Sequence, residues 1–241
     1  AAYAGGRFYY GTSATKTDGS LWDWGYQLSS PLNGSMGPGP TRISSPVQVV
    51  GSAGNLYRDL YYTYQGMIGH RQNSTAYAWG VNANGELGIN DTISRSSPHQ
   101  IGGGWHEFGA GTATWGIKYN YSAPDPYRGT LWWWGFANSG SSGLNDSTGY
   151  YRSSPVQVPG TNWHGVRAGM YAVVASKTDG TLWSWGAQND SDYGGRGSLG
   201  QNNQSFYSSP TQRGTDTTWG KDRTDFVMTH KWVANIKTDG T

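Results

Sequence analysis

The side chains in this 241-residue sequence that could carry chemistry are five histidines and fifteen acids, with no cysteine. Without thiols there is no disulfide, no thiolate nucleophile and no thiolate metal site. His70, His99, His106, His164 and His230 sit at unrelated positions and form no His-x-x-x-His pair. Zinc asks for roughly three or four converging ligands, so no metal site is expected. Asn189-Asp190-Ser191-Asp192 offers oxygens to calcium, but the bidentate Glu that closes an EF-hand loop is missing, and a solvated loop is the expectation. Gly214 to Lys221 has the glycine and lysine of a phosphate-binding loop. It is one residue too long, and Asp222 stands where Ser or Thr must hold magnesium. No Gly-x-Ser-x-Gly elbow occurs. The expectation is therefore no catalytic residue, no metal and no cofactor: a non-enzymatic chain.

The elements behind these residues are announced by one phrase, Lys177-Thr178-Asp179-Gly180-Thr181-Leu182-Trp183-Ser184-Trp185-Gly186. Asp-Gly between alternating segments predicts a β-hairpin with a type I′ turn, because glycine accepts positive φ without strain. The phrase recurs as Lys16-Thr17-Asp18-Gly19-Ser20-Leu21-Trp22-Asp23-Trp24-Gly25. Shorter copies are Arg128-Gly129-Thr130-Leu131-Trp132-Trp133-Trp134-Gly135 and Ala76-Tyr77-Ala78-Trp79-Gly80, and Lys237-Thr238-Asp239-Gly240-Thr241 opens another. Asp18, Asp179 and Asp239 beside Gly19, Gly180 and Gly240 are thus turn residues rather than acids awaiting a substrate. The second unit lacks Thr-Asp-Gly and has Arg71-Gln72-Asn73-Ser74 near that place.

Two landmarks set a period. The glycine of Trp-Gly falls at 25, 80, 135 and 186, and the proline of Ser-Ser-Pro at 46, 98, 155 and 210. Repetition every 51 to 57 residues marks a solenoid, propeller or array built from one unit per repeat. The fullest unit contains four strand signals: Trp163 to Gly169, Tyr171 to Lys177, Thr181 to Gly186, and an edge strand at Ser208 to Gln212, where proline is tolerated. Four strands per repeat, dense glycine and no helical periodicity predict an all-β protein of propeller blades. The expected units are 4–56, 57–108, 109–167 and 168–227, with a partial 228–241, in one repeat domain spanning 1–241.

Within the third strand, Trp183 and Trp185 share a face, as do Trp22 with Trp24, Tyr77 with Trp79, and Trp132 with Trp134. An aromatic face in every unit predicts a core of Trp22, Trp24, Trp79, Trp132, Trp134, Trp183 and Trp185 between blades; a cofactor or sugar platform is the sharper alternative. Departures from the repeat map to loops, where binding concentrates. Tyr119, Tyr121, Tyr127, Tyr150, Tyr151, Phe206 and Tyr207 lie in or beside such loops. They offer large contact area at low entropic cost to a protein or glycan, or else they cover loop bases. A net charge of +2 with no basic run gives no nucleic-acid surface, and no apolar run reaches the roughly 20 residues of a membrane helix.

The Lys-x-Asp-Gly hairpins, the Trp-Gly strand ends, the Ser-x-Pro edges and Asn82-Ala83-Asn84-Gly85-Glu86-Leu87-Gly88 resemble the regulator of chromosome condensation repeat family. That resemblance implies a β-propeller, typically seven-bladed. The family's nucleotide-exchange wedge has no match here, so no exchange residue is carried over. The near-verbatim repeats look most like those of marine phages and environmental bacteria. The function expected is a structural or receptor-binding module of a virion or cell surface, in a virion or extracellular location. Its partners would be other subunits, or a host-surface protein or glycan. The alternatives are a protein-binding regulatory propeller of guanine-nucleotide-exchange type and a carbohydrate-active propeller. Because both ends carry the same part of the repeat, a longer parent polypeptide is also expected.

Overall fold

A computed structural model describes residues 2–4, 9–27, 41–49, 57–63, 66–121, 129–137, 140–186, 199–203, 205–222, 225–228 and 233–241. All regular structure in these residues is β. The first sheet is β1 (Ala2–Ala4), β2 (Tyr9–Thr15), β3 (Leu21–Gln27) and β4 (Thr41–Gln48); the second is β5 (Tyr57–Tyr62), β6 (Gly66–Arg71), β7 (Ala76–Gly80) and β8 (Arg95–Gln100). The third holds β9 (Trp105–Ala110), β10 (Ala113–Lys118), β11 (Thr130–Ala137) and β12 (Tyr150–Gln157), and the fourth β13 (Trp163–Ala168), β14 (Ala172–Lys177), β15 (Leu182–Gly186) and β16 (Tyr207–Gln212). A two-stranded sheet, β17 (Phe226–Met228) with β18 (Val233–Asn235), follows. Each four-stranded sheet is an antiparallel meander whose last strand is an edge, and the Ser-Ser-Pro prolines sit there, where no ladder donor is lost.

The chain divides into two compact units, Ala1–Trp105 with Arg152–Ser154, and His106–Tyr151 with Pro155–Thr241. In the first, Leu21, Val49, Tyr57, Leu60, Met67 and Trp79 form one core between the first two sheets. In the second, Trp163, Trp185, Val173 and Ala175 pack with Trp115, Trp133, Leu131 and Val158, so the third and fourth sheets meet through indole rings. Val174, Leu182 and Phe226 form the next layer, against β17 and β18.

The hairpin turns depart from the type I′ expectation. Gly180 N–H donates to the Lys177 carbonyl (3.0 Å), and Lys177 N–H to the Thr181 carbonyl (3.0 Å). Only the glycine of each Asp-Gly pair has positive φ, 80° at Gly19, 81° at Gly180 and 88° at Gly240. A type I′ turn needs positive φ at both central residues; these are three-residue loops, a type I turn followed by a left-handed glycine. The Asp179 carboxylate accepts the Thr181 amide (2.9 Å) and hydroxyl (2.6 Å), as Asp18 does for Ser20 and Asp239 for Thr241. Burial pushes the Asp179 carboxyl up, but those bonds and the Lys177 charge outweigh it and hold it below the usual carboxylate range. The second sheet keeps this turn, between β6 and β7, without the phrase. Asn73 takes the aspartate's place on Thr75, and Ser74 takes the glycine's at φ 60°.

The two tryptophans of each third strand play different parts. Trp79, Trp134 and Trp185 are buried, and Trp185 Nε1 donates to the Ser141 carbonyl (3.0 Å). Trp22, Trp24, Trp132 and Trp183 are only half-buried. Trp22, Trp132 and Trp183 each give Nε1–H to the turn hydroxyl two residues earlier, on Ser20, Thr130 and Thr181. A lysine caps the ring: Lys16 lies 3.6 Å from the centroid of Trp22 and Lys177 4.1 Å from that of Trp183. The opposite face is also buried, at Asp23, Ala78, Trp133 and Ser184, which makes the strand a central layer rather than a one-sided one.

Candidate functional site

The fourth sheet opens with a defect. In the β13–β14 ladder Trp163 pairs with Lys177 and Gly165 with Ser176, leaving His164 as an extra residue at a bulge. Bulges re-aim side chains and are frequent beside functional sites. His164 Nδ1 lies 2.6 Å from the Tyr119 hydroxyl, and its Nε2 lies 3.0 Å from Asp222 Oδ1. An ionised carboxylate only accepts, so Nε2 carries a proton, and in the neutral form of the ring Nδ1 accepts from the phenol. Tyr119 directly follows β10 and is 5% exposed, while the Asp222 side chain is 77% exposed. The chain of bonds thus runs from core to solvent.

Two more rings complete the cluster. His106, on β9, stacks on Tyr119 with centroids 4.1 Å apart and planes 9° apart. Tyr121, 57% exposed, meets Tyr119 edge-on with centroids 5.9 Å apart. His106 and His164 are also neighbours, at 5.6 Å between ring centroids. With both its nitrogens engaged, His164 is no free ligand, and among the described residues no group of three His, Asp or Glu could hold a metal. What the cluster can do is present an exposed tyrosine and carboxylate over a fixed base, and move a proton along hydrogen bonds already made.

The expected binding aromatics divide. Tyr121, Tyr151 and Phe206 stand in solvent, more than half exposed. Tyr119 is the exception to an exposed loop role; it is core, because its ring sits between His106 and the Trp163 cluster. Tyr150 packs edge-on against Trp133 (5.5 Å), and the half-buried Tyr207 accepts a hydrogen bond from Asn203. Tyr127 lies outside the described residues. His106, His164 and Asp222 were missed. The two histidines do not sit at unrelated positions: each follows the tryptophan that begins its sheet, Trp105 and Trp163. That repeated Trp-His was the available signal, while Asp222 carried none. His70 is structural: buried, it sits between Arg58 (3.2 Å) and the Trp105 carbonyl (3.0 Å).

No family model matches the chain. Among solved structures it is similar to yeast RCC1 (Prp20), solved bound to Kap60, with 13% identity, a TM-score of 0.69, and coverage of 95% of this chain and 52% of that one. It is also similar to human WBSCR16, with 16% identity, a TM-score of 0.63, and coverage of 85% and 51%. The chain therefore spans about half the length of each. With meanders of four strands repeated along the sequence, its fold is the β-propeller of RCC1-type proteins.

Proposed function

We propose that this chain is a non-enzymatic propeller that binds protein or glycan partners, as a structural or receptor-binding module of a virion or cell surface. The observation that carries the reading is that Tyr121, Tyr151 and Phe206 stand in solvent, Tyr121 just past the end of β10 and the other two at the starts of the edge strands β12 and β16. Exposed aromatics on a rigid sheet scaffold make low-entropy contact points. The yeast RCC1 of similar fold was solved bound to a protein, Kap60. Low charge, 13% of residues, suits a surface that recognises by shape and stacking.

The test has two arms. Mass spectrometry of purified virions and cell-surface fractions is expected to find these peptides, and finding them only in cytosol overturns the location. On arrays of host-surface glycans and proteins, Tyr121→Ala and Phe206→Ala are expected to weaken binding on the order of tenfold, as loss of an aromatic anchor does. Unchanged binding in both variants overturns the role of the aromatics.

A further inference from the structure

We propose that Tyr119, His164 and Asp222 form a proton-coupled electron-release site, at which the second unit loses one electron from a buried phenol and recovers it without damage to its tryptophan core. The first support is the geometry of the bond. The Tyr119 hydroxyl lies 2.6 Å from His164 Nδ1, whose ring is anchored through Nε2 on the exposed Asp222. A phenol that loses an electron becomes a strong acid, and a base already hydrogen-bonded to it takes the proton without rearrangement.

A second, independent observation concerns the neighbours. Trp115, Trp133 and Trp163 share one core with Tyr119, and each has a buried Nε1–H without an acceptor among the described residues. An oxidised indole there has nowhere to send its proton, so the charge would stay on the ring in an apolar setting, where it is costly. Tyr119 alone of these four is joined to a base. A contrast comes from Tyr62 in the first unit, which donates to the Ser13 hydroxyl at 2.6 Å. Burial, the largest influence on it, pushes that phenol up to about 12. Entry from solvent is supplied by the exposed Tyr121, whose ring is 5.9 Å from that of Tyr119.

The step balances as follows. A one-electron oxidant from solution, such as a peroxyl radical or a ruthenium(III) polypyridyl complex, takes one electron from the Tyr119 ring. The Oη–H bond breaks, and its proton goes to His164 Nδ1. This leaves a neutral phenoxyl radical and an imidazolium paired with the Asp222 carboxylate. A one-electron reductant such as ascorbate returns the electron, and the imidazolium returns the proton, remaking the O–H bond.

Flash oxidation of the whole chain by a photogenerated ruthenium(III) complex, followed by transient absorption and electron paramagnetic resonance, tests this. A fast tyrosyl radical phase is expected, slower in deuterated water, and absent in Tyr119→Phe. His164→Gln is expected to slow that phase on the order of a hundredfold and abolish the isotope effect, since a positioned proton acceptor contributes about that much. Asp222→Asn, at an exposed position, is expected to slow it less than His164→Gln does. A fast tyrosyl phase that survives in Tyr119→Phe, or that keeps its rate in both His164→Gln and Asp222→Asn, overturns the proposal. So does a radical that settles on tryptophan in the unsubstituted protein.

Discussion

Substituting the left-handed glycine of the repeated turn separates the local from the tertiary cost of one hairpin, because the same turn occurs in different surroundings. Gly180 has φ 81°, and a Cβ there would sit on the Thr217 carbonyl oxygen. Gly240 has φ 88° in an identical Lys-Thr-Asp-Gly-Thr turn, with nothing within 4 Å of its would-be Cβ. Alanine at either position pays the left-handed penalty of about 1–2 kcal/mol. At Gly180 the segment carrying Thr217 must also shift, and overpacking of this kind adds about 1–3 kcal/mol. That shift disturbs more than one contact, since Thr238 N–H donates to Thr218 (2.8 Å) and Lys221 Nζ to Thr178 (2.7 Å). Gly180→Ala should therefore cost about 2–5 kcal/mol and Gly240→Ala about 1–2 kcal/mol at most. Ser74 offers the reverse substitution, because it already sits at φ 60°. Ser74→Gly relieves about 1–2 kcal/mol of strain but adds about 0.4–1 kcal/mol of unfolded-state entropy, leaving a net change between about 0 and a gain of about 1.6 kcal/mol. Urea unfolding followed by tryptophan fluorescence gives the midpoints. If Gly180→Ala is no more destabilising than Gly240→Ala, the close approach to Thr217 is not what constrains the turn, and the reasoning fails.

Trp185→Phe should destabilise by about 2–3 kcal/mol, because it shrinks a fully buried ring and leaves the Ser141 carbonyl without its donor. Trp183→Phe, at a half-buried ring whose partner hydroxyl stays bonded to Asp179, should cost about 0.5–1 kcal/mol in the same urea assay. Equal losses would refute the division of labour between the two indoles. Alkaline titration reads Tyr62. Its folded phenol is raised to about 12, from the ordinary tyrosine range near 10, so between those values the folded state holds more protons than the unfolded chain. Stability from this group is complete below about pH 10 and is lost as pH rises towards 12. Tyr62→Phe should flatten that part of the stability profile; an unchanged slope would refute the assignment.

What the sequence made legible was local. Lys-Thr-Asp-Gly-Thr specifies its hairpin within five residues, so reading it required no knowledge of what lies against it. The same turn at Arg71 to Thr75 lacks the Asp-Gly that marks the others in sequence; Asn73 supplies the acceptor and Ser74 bears the positive φ. Alternation correctly put Trp183 and Trp185 on one face but could not grade their burial. Trp183 sits next to the turn and Trp185 lies deeper in the strand, against the Ser141 loop. Tyr119 was legible as an aromatic out of pattern, yet its partner hydroxyl bond spans 45 residues and the next bond in the chain 58. Such distances appear only once sheets have packed.

The bulge gives these repeats room to differ. In a regular ladder each residue has a partner opposite, so changing its direction disturbs two strands. The extra residue at a bulge has no such partner, and its side chain can be replaced while the register on either side stays fixed. The second sheet uses the position for Arg58, between Tyr57 and Asp59, which reaches His70 at 3.2 Å and helps fix that buried ring. The fourth sheet uses it for His164, which reaches Tyr119 and Asp222 instead. One backbone device thus delivers a structural cation in one blade and a proton acceptor in another. Repeats nearly uniform in their turns and edge strands can in this way carry unlike chemistry at the residue after the leading aromatic.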